Sequence, residues 1–168
     1  MPEKETLERA REDAREGKSA STQAGEFVRE EMHHIREGKH GARSTKQAIA
    51  IGLSKARRSG VRLKPPRRGK ASAGTRKKAE RDYTRGQSHA RKKSSSRRSS
   101  ARRNALKREG RSAASHRSLS RQARSAASKR SSSDRHRSAK RASQTKGRSG
   151  RSQAARKAAR TRRSRARA

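Results

Sequence analysis

The chain after Lys64 is so poor in large apolar side chains that this limits what the protein can fold into. Residues 65–168 contain 37 Lys or Arg, four acids and only three large apolar residues, Tyr83, Leu106 and Leu119. A segment of this composition buries too little apolar surface to offset the conformational entropy that is lost on ordering. We therefore predict a largely disordered basic tail over residues 65–168, with transient helices.

The charge of this tail points to its partner. With 37 bases and four acids, the tail carries +33 of the chain's net charge of +38. Such an excess requires a polyanion, and nucleic acid is the commonest one in a cell. Most of the bases are arginines, whose guanidinium groups bind phosphate through two parallel hydrogen bonds. The composition therefore predicts that the tail binds nucleic acid.

The residues before Pro65 contain enough apolar positions for three short helices. We predict the first over Pro2–Glu16 and the second from about Thr22 to Glu37, with Ser21 or Thr22 as its N-cap. The third follows an S-x-x-Q capping box at Ser44 and ends at Gly60.

Helices two and three are predicted to form an antiparallel pair joined by residues 38–44. Its predicted core residues are Phe27, Val28, Met32, Ile35, Ile49, Leu53 and Val61. The predicted fold class is therefore mostly α and disordered. It comprises a charged N-terminal helix (residues 1–20), a helical-pair domain (21–64) and the basic tail (65–168).

Several classes of protein are disfavoured by what the sequence lacks. Cysteine is absent, which excludes disulfides, thiolate zinc sites and a thiol nucleophile. No apolar run reaches the ~18 residues of a membrane span, and the acidic N-terminus is unlike a secretory signal. No catalytic motif is present. We predict a cytoplasmic, nucleoid-associated protein that is not an enzyme and has no cofactor, small-molecule substrate or membrane contact.

One group of side chains has the spacing of metal ligands. Glu30, His34 and Glu37 fall at i, i+4 and i+7 of the second helix, on one face. Surface histidines on a charged helix explain this pattern more simply, so we predict no metal site.

The predicted binding is largely independent of nucleotide sequence. Aromatic residues for base stacking are nearly absent, and the linker 38–44 is longer than the turn of a helix-turn-helix. The partner is predicted to be double-stranded DNA, with RNA as the alternative. The predicted phosphate contacts, all Lys or Arg, are Lys46, Lys55, Arg57, Arg58, Arg62, Arg67, Arg68, Arg97, Arg98, Arg102, Arg103, Arg160, Arg162, Arg163 and Arg165.

The stretch EFVREEMHHIREGKHGARSTKQAIAIGLSKARRSGV (Glu26–Val61) resembles a small bacterial family of unknown function. That family is typified by a KQAIAIGLSKARR core, here Lys46–Arg58. Its members often carry DNA-binding or plasmid-stabilisation labels, and it has no catalytic residues to carry over. The tail loosely resembles bacterial linker-histone-like proteins and protamines. These resemblances imply DNA binding, with a link to plasmid maintenance.

Together these features predict a histone-like DNA-binding protein whose tail neutralises phosphates. Two alternatives stay open. One is an RNA- or ribosome-associated basic protein. The other is a stress or plasmid-maintenance protein whose helical pair binds a protein partner. We also expect the acidic first helix to restrain the tail or to contact a partner.

Overall fold

The computed structural model describes residues 2–88 and 95–166, without the side chains of residues 145, 146, 165 and 166. Its helices are α1 (Lys4–Arg15), α2 (Ala20–Arg36), α3 (Thr45–Arg58), α4 (Ala73–Gln87), α5 (Ser96–Lys107), α6 (His116–Ser128) and α7 (Ser132–Ala166). A 3₁₀ turn spans Ser112–Ala114, and the described residues contain no strand. The chain divides into two compact units, residues 1–122 and 123–168. Among the described residues, no helix is long and apolar enough to cross a membrane.

The predicted pair of helices is confirmed by α2 and α3. Phe27 near the middle of α2 packs with Ala56 near the end of α3, whereas Ile35 at the end of α2 packs with Ala48 near the start of α3. The two helices are therefore antiparallel. The loop 38–44 joins them, as predicted.

The helix ends follow ordinary capping chemistry, with one correction. At α3 the Ser44 hydroxyl accepts a hydrogen bond from the Gln47 N–H at 3.2 Å, as the capping box predicted. The prediction for α2 was wrong by a few residues. Its N-cap is Ser19, whose hydroxyl accepts from the Thr22 N–H at 3.3 Å, so the helix begins at Ala20.

The predicted core residues lie in two clusters. One contains Met32 and Ile35, with Val28 and Ile49 packed against it. The other contains Phe27 and Val61, with Leu53 at its edge, and α1 covers it through Leu7 and Ala10. Alanines fill most of the remaining core positions: Ala10, Ala24, Ala42, Ala48, Ala56, Ala113 and Ala114. Because alanine is small, the helices approach closely and bury a core with few large side chains.

The prediction of a disordered tail is wrong. Its described residues form α4 to α7, and the part up to residue 122 belongs to the same compact unit as the helical pair. On α4, Ala79 is buried, and Asp82 accepts a hydrogen bond from the Ser54 hydroxyl at 2.5 Å.

The segment between α5 and α6 joins the core directly. Ala113 and Ala114 are buried in the same cluster as Met32 and Ile35. The Thr45 hydroxyl donates to the Ala113 carbonyl at 2.6 Å, and the loop 38–44 donates a backbone hydrogen bond to the Leu106 carbonyl at 2.8 Å. Two alanines and these hydrogen bonds thus supply the ordering that we expected only from large apolar residues.

Residues 123–168 form a separate unit, in which α7 is interrupted once. Gly147 has φ 62° and ψ −177°, a conformation that is essentially restricted to glycine. It separates helical residues 132–146 from 148–166. Across this break, Arg151 donates a hydrogen bond to the Ser143 carbonyl at 2.9 Å.

Candidate nucleic-acid interface

The predicted phosphate contacts on and after α3 divide into exposed and interior residues. Lys46 is exposed near the start of α3, and Arg58 is exposed at its end. Arg62, Arg67 and Arg68 are exposed in the segment that connects α3 to α4. These five side chains lie where a phosphate can reach them.

Lys55 and Arg57 point into the protein instead. The Lys55 ammonium lies 2.6 Å from Glu31 Oε2 and 3.3 Å from Glu30 Oε1, and both carboxylates are buried. Arg57 is 7 % exposed, and its Nε donates to the Leu63 carbonyl at 3.1 Å. Burial lowers the pKa of the Arg57 guanidinium. Both predicted phosphate contacts thus have partners inside the protein, and neither side chain is exposed.

A polar cluster surrounds Lys55. Sequence reasoning placed Glu30 and His34 on one face of the second helix but did not connect them with Lys55. His40 Nε2 lies 2.9 Å from Glu31 Oε1, and His34 Nε2 lies 2.8 Å from Glu3 Oε1. Hydrogen bonds from the His34 ring and from a neighbouring lysine ammonium hold the pKa of the Glu3 carboxyl below its usual value. The signal that could have revealed the cluster is Lys55, because this basic residue lies on the face of α3 that packs against the acids of α2.

The helix α5 presents basic side chains without any buried residue. Arg97, Arg98, Arg102 and Arg103, which are predicted phosphate contacts, are all exposed. At 100° per residue they point in several directions around the helix. The helix therefore offers charge on more than one side.

The end of α7 carries the last group of predicted residues. Arg160, Arg162 and Arg163 are exposed. Arg165 lies within the helix, but its side chain is outside the described part of the chain. Residues 132–166 contain 13 Lys or Arg and one acid, Asp134.

The acids of the N-terminal region form ion pairs with bases of the same region. Within the described residues, the ion pairs of the acids in and around α1 and α2 all run to bases before residue 56: Arg9, Lys18, Arg29, His34, Lys39, His40 and Lys55. The expectation that α1 restrains the tail or contacts a partner stays a prediction.

The comparisons with known proteins concern the helical pair. Residues 15–68 match a family of unknown function (DUF6496). This segment extends from the end of α1 to Arg68 and includes α2, α3 and most of the polar cluster around Lys55. No curated protein and no solved structure is significantly similar to the chain.

Proposed function

We propose that this protein binds nucleic acid, principally double-stranded DNA, by neutralising phosphates with its basic helices. One observation carries the proposal. Residues 95–166 contain 25 Lys or Arg and two acids, and every one of these bases whose side chain is described is exposed. Whatever pairs the two acids form, a net charge of +23 remains on this part of the chain. A surface of this kind attracts polyanions at long range and releases their counterions on binding.

The helical form of residues 148–166 determines how many phosphates of a duplex lie alongside them. Residues 148–166 contain eight Lys or Arg, and as a helix they span about 28 Å. That length corresponds to about 16 phosphates of duplex DNA. The eight bases are therefore fewer than the phosphates along this length, so each base that faces the duplex has a phosphate available.

The distribution of charge favours binding without sequence readout. The bases of residues 148–166 point to all sides of the helix rather than along one face. Such a helix can bind the phosphate backbone in several orientations and can contact two duplexes at once. We therefore propose a non-enzymatic, histone-like role at the nucleoid, in which the protein binds and bridges DNA.

Replacing Arg160, Arg162 and Arg163 together with glutamine tests this proposal on the full-length chain. Each phosphate contact contributes about −0.9 to the slope of log K against log[salt]. We expect the slope to become shallower by about 2.7, and affinity to fall equally on unrelated duplexes of one length. Fluorescence anisotropy across a salt series measures both.

The matched control replaces the same three arginines with lysine, which keeps the charge and removes bidentate binding. This variant should keep the slope of the wild-type protein. An unchanged slope in the glutamine variant would show that the end of α7 does not contact phosphate. Preference for structured RNA over duplex DNA, at matched phosphate concentration, would favour the RNA-associated alternative.

A further inference from the structure

Three side chains with metal-binding atoms come together where α2 meets the loop 38–44. One ligand atom each from Glu31, His34 and His40 lies within 4.8 Å of the other two. Glu31 is buried, and both imidazoles are largely buried. Two imidazoles and a carboxylate are a donor set that suits Zn²⁺. We propose that this cluster binds one divalent ion of the zinc type.

The surroundings of both histidines favour this role. His40 Nδ1 lies 3.0 Å from the Gly41 carbonyl, so that nitrogen donates and leaves Nε2 as a ligand. His34 Nε2 lies 2.8 Å from the Glu3 carboxylate, which leaves Nδ1 on the side of the buried acids. Metal-binding histidines typically donate their other N–H to a carboxylate or a backbone carbonyl, as these two can.

A cation would stabilise the contact between His40 and Glu31. His40 Nδ1 faces a carbonyl oxygen, and its Nε2 lies 2.9 Å from Glu31 Oε1. Both oxygens can only accept hydrogen bonds, whereas a neutral imidazole has a single N–H. With that N–H directed at Gly41, the Nε2 lone pair faces a carboxylate. The arrangement becomes favourable when a second proton or a metal ion lies between them.

The second oxygen of Glu31 also lacks a hydrogen bond. Within the described residues, Glu31 Oε2 is buried and has no hydrogen-bond partner. Its charge is nevertheless paired, because the Lys55 ammonium lies 2.6 Å away. Lys55 compensates one of the two buried charges of Glu30 and Glu31. A divalent ion held by neutral histidines compensates the other, while Lys55 keeps its contact with Glu30.

Binding can be measured on the full-length protein without nucleic acid, with Co²⁺ as a spectroscopic probe and Zn²⁺ as competitor. We expect one Co²⁺ per chain, with visible absorption that Zn²⁺ abolishes. His34→Gln and His40→Gln should each weaken binding at least tenfold, in line with the loss of a ligand. The matched control is His33→Gln, because His33 is exposed on the same helix and should leave binding unchanged.

A measurement on the wild-type protein avoids dependence on the folding of the variants. Co²⁺ should broaden the imidazole NMR signals of His34 and His40 before those of His33 and His116. Equal broadening of all four, or equal Co²⁺ binding by all three variants, would overturn the proposal. Absence of stoichiometric Co²⁺ binding would likewise overturn it.

Discussion

Replacing Lys55 with methionine is expected to lower the free energy of unfolding by about 3–5 kcal/mol. The Lys55 ammonium is the basic group that contacts both Glu30 and Glu31, at 3.3 and 2.6 Å, and both carboxylates are buried. Methionine keeps the approximate length of the side chain but removes its charge. The two carboxylates would then face each other's charge in the interior, where water cannot solvate them.

The measurement is urea unfolding followed through the methyl NMR signals of Ile35 and Ile49, which report on the helical pair. A chelator should be present, so that a bound metal ion cannot replace the missing lysine. The matched control is Lys46→Met, an exposed position on the same helix, expected to change stability by less than about 0.5 kcal/mol. Equal effects of the two substitutions would mean that Lys55 does not compensate the buried acids.

Replacing Gly52 with alanine is expected to lower the free energy of unfolding by about 1–3 kcal/mol. A methyl group there would lie 2.7 Å from Val28 Cα and 2.9 Å from its backbone nitrogen. These are backbone atoms, so no side-chain rotation relieves the overlap. The helices α2 and α3 would have to separate, which loosens the packing of both core clusters.

Gly25→Ala is expected to change the free energy of unfolding in the opposite direction, within the same pair of helices. Gly25 is exposed within α2, and an added methyl group there meets nothing within 4 Å. Alanine should therefore stabilise the protein by about 0.5–1 kcal/mol, through its higher helix propensity. The same NMR-detected unfolding compares the two variants. Stabilisation by Gly52→Ala would contradict the close approach of α2 and α3.

The helical pair could be predicted from the sequence because its signals are local. The apolar spacing of Phe27, Met32 and Ile35 defines one face of a helix, and the capping box at Ser44 marks where the next one begins. Both depend on residues within a few turns of each other. The structure confirms the pair, its direction and its core.

That the residues after Lys64 form ordered helices could not be predicted in this way. We counted large apolar residues, but Ala79, Ala113 and Ala114 are buried residues that attach this part of the chain to the helical pair. Their contribution comes from close backbone approach and from hydrogen bonds to distant residues such as Gly41 and Thr45. Neither depends on any feature of the neighbouring sequence.

The sequence by itself determined the charge of this protein, the positions of its first helices and the apolar face of the helical pair. Tertiary structure alone decided which charged residues are buried. Glu30, Glu31 and Lys55 have the composition of a solvated surface, yet they meet in the interior between α2 and α3. The physical reason is that burying a carboxylate is costly unless a cation faces it, and Lys55 lies more than twenty residues away along the chain.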